Sequence, residues 1–273
     1  MGLGSVPAAC AEVGDALAGP YTEARVAIEG AARANVDETG WKQAGQRRWL
    51  WVAVGSVATL FLVAASRGAK TLRTLLGETF TGIVGSDRFR AYQSLPLERR
   101  QLCWAHLTRN FAAFAGWGGA TGSWGTEAGP LVERLFALWH QFRGAEVDRT
   151  ALQTAMQPVQ AELRALLERG RDLSPLRGLC TDLLAQWPAL WTFLTVEGLE
   201  PTNNAAERAL RPAVLWRKGC FGTQSDAGNT FVERILTVTA TCRQQERHLL
   251  TFMTNAVSVH RAGSPAPVLI ATP

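Results

Sequence analysis

The chain has 273 residues, 47% of them hydrophobic, and a net charge of +5. That length and apolar share can bury a large core, which excludes a disordered or fibrous chain and leaves one elaborated domain or one domain with an insertion. No run of about eighteen uncharged apolar residues occurs and no basic start leads into an apolar core, so neither a membrane span nor a secretory signal is expected. The 5 cysteines are odd in number and widely scattered, which fits a reducing cytoplasm.

Residues 1–34 are Ala-rich, with Val13, Ala16, Leu17, Tyr21 and Ala24 at helical spacing before Gly30, so a helix is predicted to lead into the first strand. The opening Met1-Gly2-Leu3-Gly4 reads as a start made in mid-protein. Asn35 to Glu38 reads as a strand, and Thr39-Gly40 with Gly45 marks the turns into Arg47 to Val54, a run of Trp and Val with strong β preference. After Gly55-Ser56, Thr59 to Ala65 completes an antiparallel meander. A short helix, Ala69 to Leu76, is closed by Gly77. Gly82 to Ser86 is a fourth strand ending on Asp87, Phe89 to Ser94 a short helix, and Gln101 to Ala105 a fifth strand.

Beyond His106 the pattern turns helical. Leu107 to Phe114 reads as helix and Gly116 to Ser123 as a flexible loop. Leu131 to Phe142, Asp148 to Glu168 with a kinking Pro158, and Leu176 to Trp187 follow as helices. Trp139, Trp187, Trp191 and Phe193 are expected as core. Asn204 or Asn203 then caps a helix to about Leu210, a basic loop runs from Arg217 to Gln224, and a long last helix spans about Thr230 to Ser258.

Three strands, a helix, a strand, a helix and a strand is the order of the ribonuclease H-like fold, although α/β chains often alternate in this way. The expected class is therefore α/β, a ribonuclease H-like mixed sheet with an all-helical insertion before the last catalytic helix. The expected parts are a lead-in at 1–34, a core at 35–106 and 201–258, an insertion at 107–200, and a flexible tail at 259–273.

In this order Asp37 and Asp87 close two strands, and Glu207 points from the first turn of a helix. Three such carboxylates can hold two divalent ions, and a pair of ions catalyses in-line attack on phosphodiesters. Each acid also has an ordinary reading: Asp37 as a polar residue before a turn, Asp87 as a helix cap, and Glu207 in a capping box with Asn204. Hard oxygen ligands suit Mg²⁺ (or Mn²⁺). Cys103 and His106 could form half of a zinc site, but the other cysteines make no second pair. His106 and Arg109 are instead expected to flank the acids, contacting phosphate or orienting a carboxylate.

Basic residues number 12 against 9 acidic in 1–106, 8 against 10 in 107–200, and 8 against 4 in 201–273, a surplus in the outer thirds that suits a polyanion. Asn203 and Asn204 offer amides beside the acids, Arg208 and Arg211 positive charge near Glu207, and Arg217 with Lys218 a phosphate contact. No base-reading helix-turn-helix or zinc finger is evident.

Six segments together resemble the insertion sequence 66 family of bacterial transposases. They are Asn35-Val36-Asp37-Glu38-Thr39-Gly40-Trp41, Arg48-Trp49-Leu50-Trp51-Val52, Ser66-Arg67-Gly68, Ser86-Asp87-Arg88-Phe89, Cys103-Trp104-Ala105-His106, and Glu200-Pro201-Thr202-Asn203-Asn204-Ala205-Ala206-Glu207-Arg208. The resemblance continues through Trp216-Arg217-Lys218 and Phe221-Gly222-Thr223. It implies a catalytic aspartate-aspartate-glutamate triad at Asp37, Asp87 and Glu207, acting with two metal ions on double-stranded DNA at transposon ends and target, in a cytoplasmic, nucleoid-associated homo-oligomer. Family members usually carry an N-terminal DNA-binding module, so the resemblance also implies a truncated copy or catalytic fragment. Two other functions stay open: an inactive remnant that binds DNA or a partner transposase, and a ribonuclease H-like nuclease without strand transfer.

Overall fold

In a computed structural model that describes residues 4–270, the Ala-rich opening folds as two helices rather than one. They are α1 (Ser5–Ala16) and α2 (Ala18–Glu29), and the fully buried Leu17 stands at the break. Strand β1 (Arg33–Gln43) then runs for 11 residues, straight through the Thr39-Gly40 pair expected to turn. The reversal comes at Ala44-Gly45, where φ is 47° and 75°; two successive positive φ values make the hairpin turn that matches strand twist. Asp37 therefore lies inside a strand and not at its end.

Strand β2 (Gln46–Val54) pairs antiparallel with β1, Asp37 opposite Val52, and β3 (Thr59–Ala64) pairs antiparallel with β2. Helix α3 (Ala69–Leu76) buries Leu72, Leu75 and Leu76 and stops at Gly77, as expected. Strand β4 (Ile83–Ser86) lies parallel to β1, so these strands stand in the order β3-β2-β1-β4 as a mixed sheet. The helix expected at Phe89 is a 3-10 turn, Arg90–Ser94.

Residues 95–202 form a separate compact unit, which holds strand β5 (Arg100–Leu102) and four α-helices. The strand is shorter than expected because α4 (Trp104–Ala115) already starts at Trp104. Of the Gly-rich stretch expected to be a loop, residues 116–118 do turn, but Gly119 onward already belongs to α5 (Gly119–Arg143). A Cβ at Gly122 would fall 1.8 Å from Trp117 O, and one at Gly125 would fall 2.3 Å from Ala115 N. These glycines let α4 and α5 close on each other. Helix α6 (Arg149–Gly170) is capped by Asp148 and runs unbroken through Pro158, held by Leu152, Met156, Val159 and Leu163 on its buried face. Helix α7 (Arg177–Ala185) hands over to a 3-10 turn at Trp187–Leu190. Trp139, Trp191 and Phe193 are buried here.

In the unit formed by 4–94 and 203–270, helix α8 (Asn204–Cys220) passes Pro212 and outruns the expected end at Leu210. Its Ala206, Leu210 and Ala213 bury against Trp41, Leu50, Val52 and Phe61, and that packing carries the helix across the proline. The single long last helix is two, α9 (Asp226–Gln244) and α10 (Leu249–Arg261), separated where Glu246 has φ 53°. The tail expected to be flexible is anchored as far as Ile270. Leu269 is fully buried, and the N–H groups of Leu269 and Ile270 donate to the Glu23 carboxylate at 2.7 and 2.8 Å. Positions 271–273 lie outside the described residues. Among the described residues no helix is long and apolar enough to cross a membrane.

Candidate active site

Strand β1 alternates: Ala34, Val36 and Glu38 are buried on one face, while Asn35, Asp37 and Thr39 sit half-buried on the other. The second face is the one α8 covers. The parallel register pairs Asn35 with Gly85, Asp87 follows directly on the end of β4 at Ser86, and its charge acts on Asp37. Glu207 comes from the opposite side, on the first turn of α8. Asp37 and Glu207 line a cavity of about 390 Å³ together with Glu38, Thr39, Arg208 and Arg211.

Burial pushes the Asp37 carboxyl up to about 7, and the charges of Glu38, Asp87 and Glu207 add to the rise. One hydrogen bond opposes it, from Glu38 N to Asp37 Oδ1 at 2.8 Å. Among the described residues the three acids do not all close to within 4.8 Å of one another. Asp37 is the acid whose charge is coupled to both of the others. Asp87 keeps its ordinary role too, since its Oδ1 accepts from Phe89 N at 2.8 Å, over the start of the 3-10 turn.

Two expectations about the start of α8 are corrected. Asn203 occupies the capping position but makes no side-chain capping bond, and Asn204 is the first helical residue, so no capping box with Glu207 forms. The Asn203 side chain is fully buried and turns to the sheet instead. It donates to Val36 O at 2.9 Å and accepts from Asn35 Nδ2 at 3.1 Å. A Cβ at Gly85 would stand 2.8 Å from Asn35 Nδ2, so glycine there leaves room for the amide that holds Asn203. Neither Asn35 nor Gly85 is conspicuous in the sequence; what they share is the register of two strands.

Glu38 is more than a neighbour of Asp37. Its side chain has no exposed surface; Oε1 accepts from Arg67 Nε at 2.6 Å, and Oε2 accepts from the Tyr92 hydroxyl. Burial raises its carboxyl, and the bonds from Tyr92 and Arg67 work against that. Arg67 in turn stacks over Phe89 at 3.7 Å and over Trp49 at 4.9 Å. Glu38 thus braces the strand that carries Asp37.

Arg208 and Arg211 are exposed on the rim of the acid cavity, and Lys218 is exposed farther along α8. Arg217 is committed to β1, donating to Thr39 Oγ1 at 3.1 Å and to Gly40 O. Cys103, His106 and Arg109 belong to the other unit. Cys103 is buried just ahead of α4, His106 is half-buried on its first turn, and Arg109 is exposed. All 5 cysteines are free thiols.

These features define a mixed α/β protein with half-buried acids between its sheet and a helix that carries exposed arginines. The Transposase IS66 family model matches residues 4–230, and the chain belongs to that family. It is also 27% identical, over 219 residues, to the uncharacterized protein y4qI of Sinorhizobium fredii; the match covers 73% of this chain and 40% of that protein. The chain thus spans about two fifths of the length of that relative. No solved structure matches.

Proposed function

We propose that this chain is the catalytic part of a DNA transposase of the aspartate-aspartate-glutamate type, with Asp37, Asp87 and Glu207 as ligands for two divalent ions, Mg²⁺ or Mn²⁺. The observation that carries the reading is the cavity that Asp37 and Glu207 line together, with Asp87 near enough for its charge to act on Asp37. Carboxylates set around one cavity offer the oxygen donors that suit a hard divalent cation. When bound, such ions would activate the attacking water or 3′-hydroxyl and stabilise charge on the leaving oxygen.

The chain's own residues have separable tasks. Asp37 is the shared acid, Asp87 and Glu207 flank it, and Glu38 with Arg67 and Tyr92 keeps β1 in place. Arg208 and Arg211 take phosphates of double-stranded DNA entering the cavity. The order β3-β2-β1-β4, with Asp37 within β1 and Asp87 directly after the parallel β4, supports a ribonuclease H-like reading of the sheet.

Incubation of the purified chain with supercoiled DNA and Mg²⁺ tests the proposal. Nicking that vanishes in Asp87→Ala supports it; equal nicking by that variant defeats it. The exposed Arg208 and Arg211 at the cavity rim would equally serve one alternative, a chain that binds DNA without cutting it. Salt-sensitive binding with no nicking is the result that reading requires. Scoring joined as well as cut product separates strand transfer from simple nuclease action.

A further inference from the structure

The far end of α8 carries an exposed, strained aromatic residue that the acid cavity does not use. Phe221 terminates the helix in the left-handed region, with φ 59° and ψ 11°, and donates its N–H to Arg217 O at 2.8 Å. Glycine or asparagine usually fills that position, because a bulky side chain at positive φ is strained. Here the residue is 75% exposed, so it gains little from burial in return.

The backbone behind the ring is fixed. Gly222 has φ 110° and no room for a Cβ, which would stand 2.2 Å from Lys42 O. Thr223 N donates to Lys42 O at 2.9 Å, Ala44 N donates to Thr223 O at 2.8 Å, and Trp41 Nε1 donates to Thr223 Oγ1 at 3.3 Å. Phe221 is thereby held as one wall of a cavity of about 450 Å³, whose other lining residues are Gly40, Trp41, Lys42, Arg47 and Arg217. No acidic residue lines it.

We propose that this cavity takes one unpaired nucleotide of single-stranded DNA, its base stacked on Phe221 and its phosphates against Lys42 and Arg47. The proposal rests on the DNA-processing reading above. An aromatic wall over an apolar floor calls for a planar apolar face, and a cationic rim without acids calls for an anion; a nucleotide supplies both. In a duplex the faces of the bases are covered by their neighbours, so only an unpaired strand offers one. Trp41 follows Asp37 by four residues on β1, about 13 Å at ordinary strand rise. The pocket and the acids therefore lie on the same strand, within reach of a few nucleotides of one opened DNA strand.

Fluorescence anisotropy with a labelled oligothymidylate and with a fully paired duplex of equal length tests it. Phe221→Ala is expected to weaken binding of the single strand about 5- to 150-fold, the range for loss of one stacked base, and to leave duplex affinity unchanged. Phe221→Trp should keep single-strand affinity. Phe221→Gly should weaken it while raising Tm, because glycine relieves the left-handed strain; a merely structural ring would not move the two in opposite senses. Unchanged single-strand affinity in Phe221→Ala, or equal loss on both DNAs, overturns the pocket. Nicking of supercoiled DNA by the same variants keeps the two readings apart. Intact nicking without Phe221-dependent binding defeats the pocket alone, and Phe221-dependent binding without nicking defeats the catalytic reading alone.

Discussion

Asn203 donates its side-chain amide to Val36 O at 2.9 Å from a fully buried position, tying the start of α8 to the strand that bears Asp37. Glu207 lies one helical turn farther on, so this bond sets where the third acid can stand. Asn203→Ala leaves Val36 O and the Asn35 amide each short of a buried partner. Its expected cost is about 1–3 kcal/mol, read as a lowered urea midpoint with an unchanged m-value. An unaltered midpoint would show that the helix is positioned by its apolar face alone.

Glu38→Ala removes the acceptor for both Arg67 and Tyr92 and leaves the buried Tyr92 hydroxyl facing a gap. The expected destabilisation is about 2–3 kcal/mol, because two hydrogen bonds are lost while solvent still reaches the partly exposed Arg67. Tyr92→Phe removes one bond only and should cost about 1–2 kcal/mol. Thermal unfolding of the two variants checks the order; equal Tm values would mean that Glu38 does not brace β1.

Asp37 makes stability depend on pH in a defined sense. Its carboxyl is raised from 3.8 to about 7 in the folded chain, so between those values the folded state holds a proton that the unfolded state has lost. Stability from this group is therefore fully present below about pH 4 and declines as pH rises to about 7. The loss is up to about 4 kcal/mol, and less to the extent that solvent reaches the partly exposed group. Without divalent ions, Asp37→Asn is expected to be more stable than the parent at pH 8 and to differ little at pH 4. Urea titrations at the two pH values decide this; a variant less stable than the parent at pH 8 would contradict it.

Much of the architecture was legible because it depends on local pattern. The Trp and Val run of β2, the apolar spacing of α3 with Gly77 behind it, and the short strand leading to Asp87 all fold where their residues suggest. What was not legible depends on partners distant in sequence. Thr39-Gly40 looks like a turn until nine residues of β2 pair alongside. Gly122 and Gly125 look like flexibility until another helix needs their missing side chains. Residues 263–270 look like a loose tail until Glu23 receives two of their N–H groups. At the site the same division holds. Residue type and placement single out Asp37, Asp87 and Glu207 as candidates, whereas Asn203 looks like a cap and turns out to be a clamp. Glu38 seems incidental beside Asp37 because its bond to Tyr92 spans 54 residues.

The central claim is that Asp37, Asp87 and Glu207 form one divalent-cation centre, and isothermal titration of the metal-free chain with Mn²⁺ at pH 8 tests it most directly. The account predicts saturable Mn²⁺ binding by the parent chain that is lost in Asp37→Asn and weakened in both Asp87→Asn and Glu207→Gln. Binding of equal affinity and stoichiometry in Asp37→Asn, with the variant folded, would contradict it.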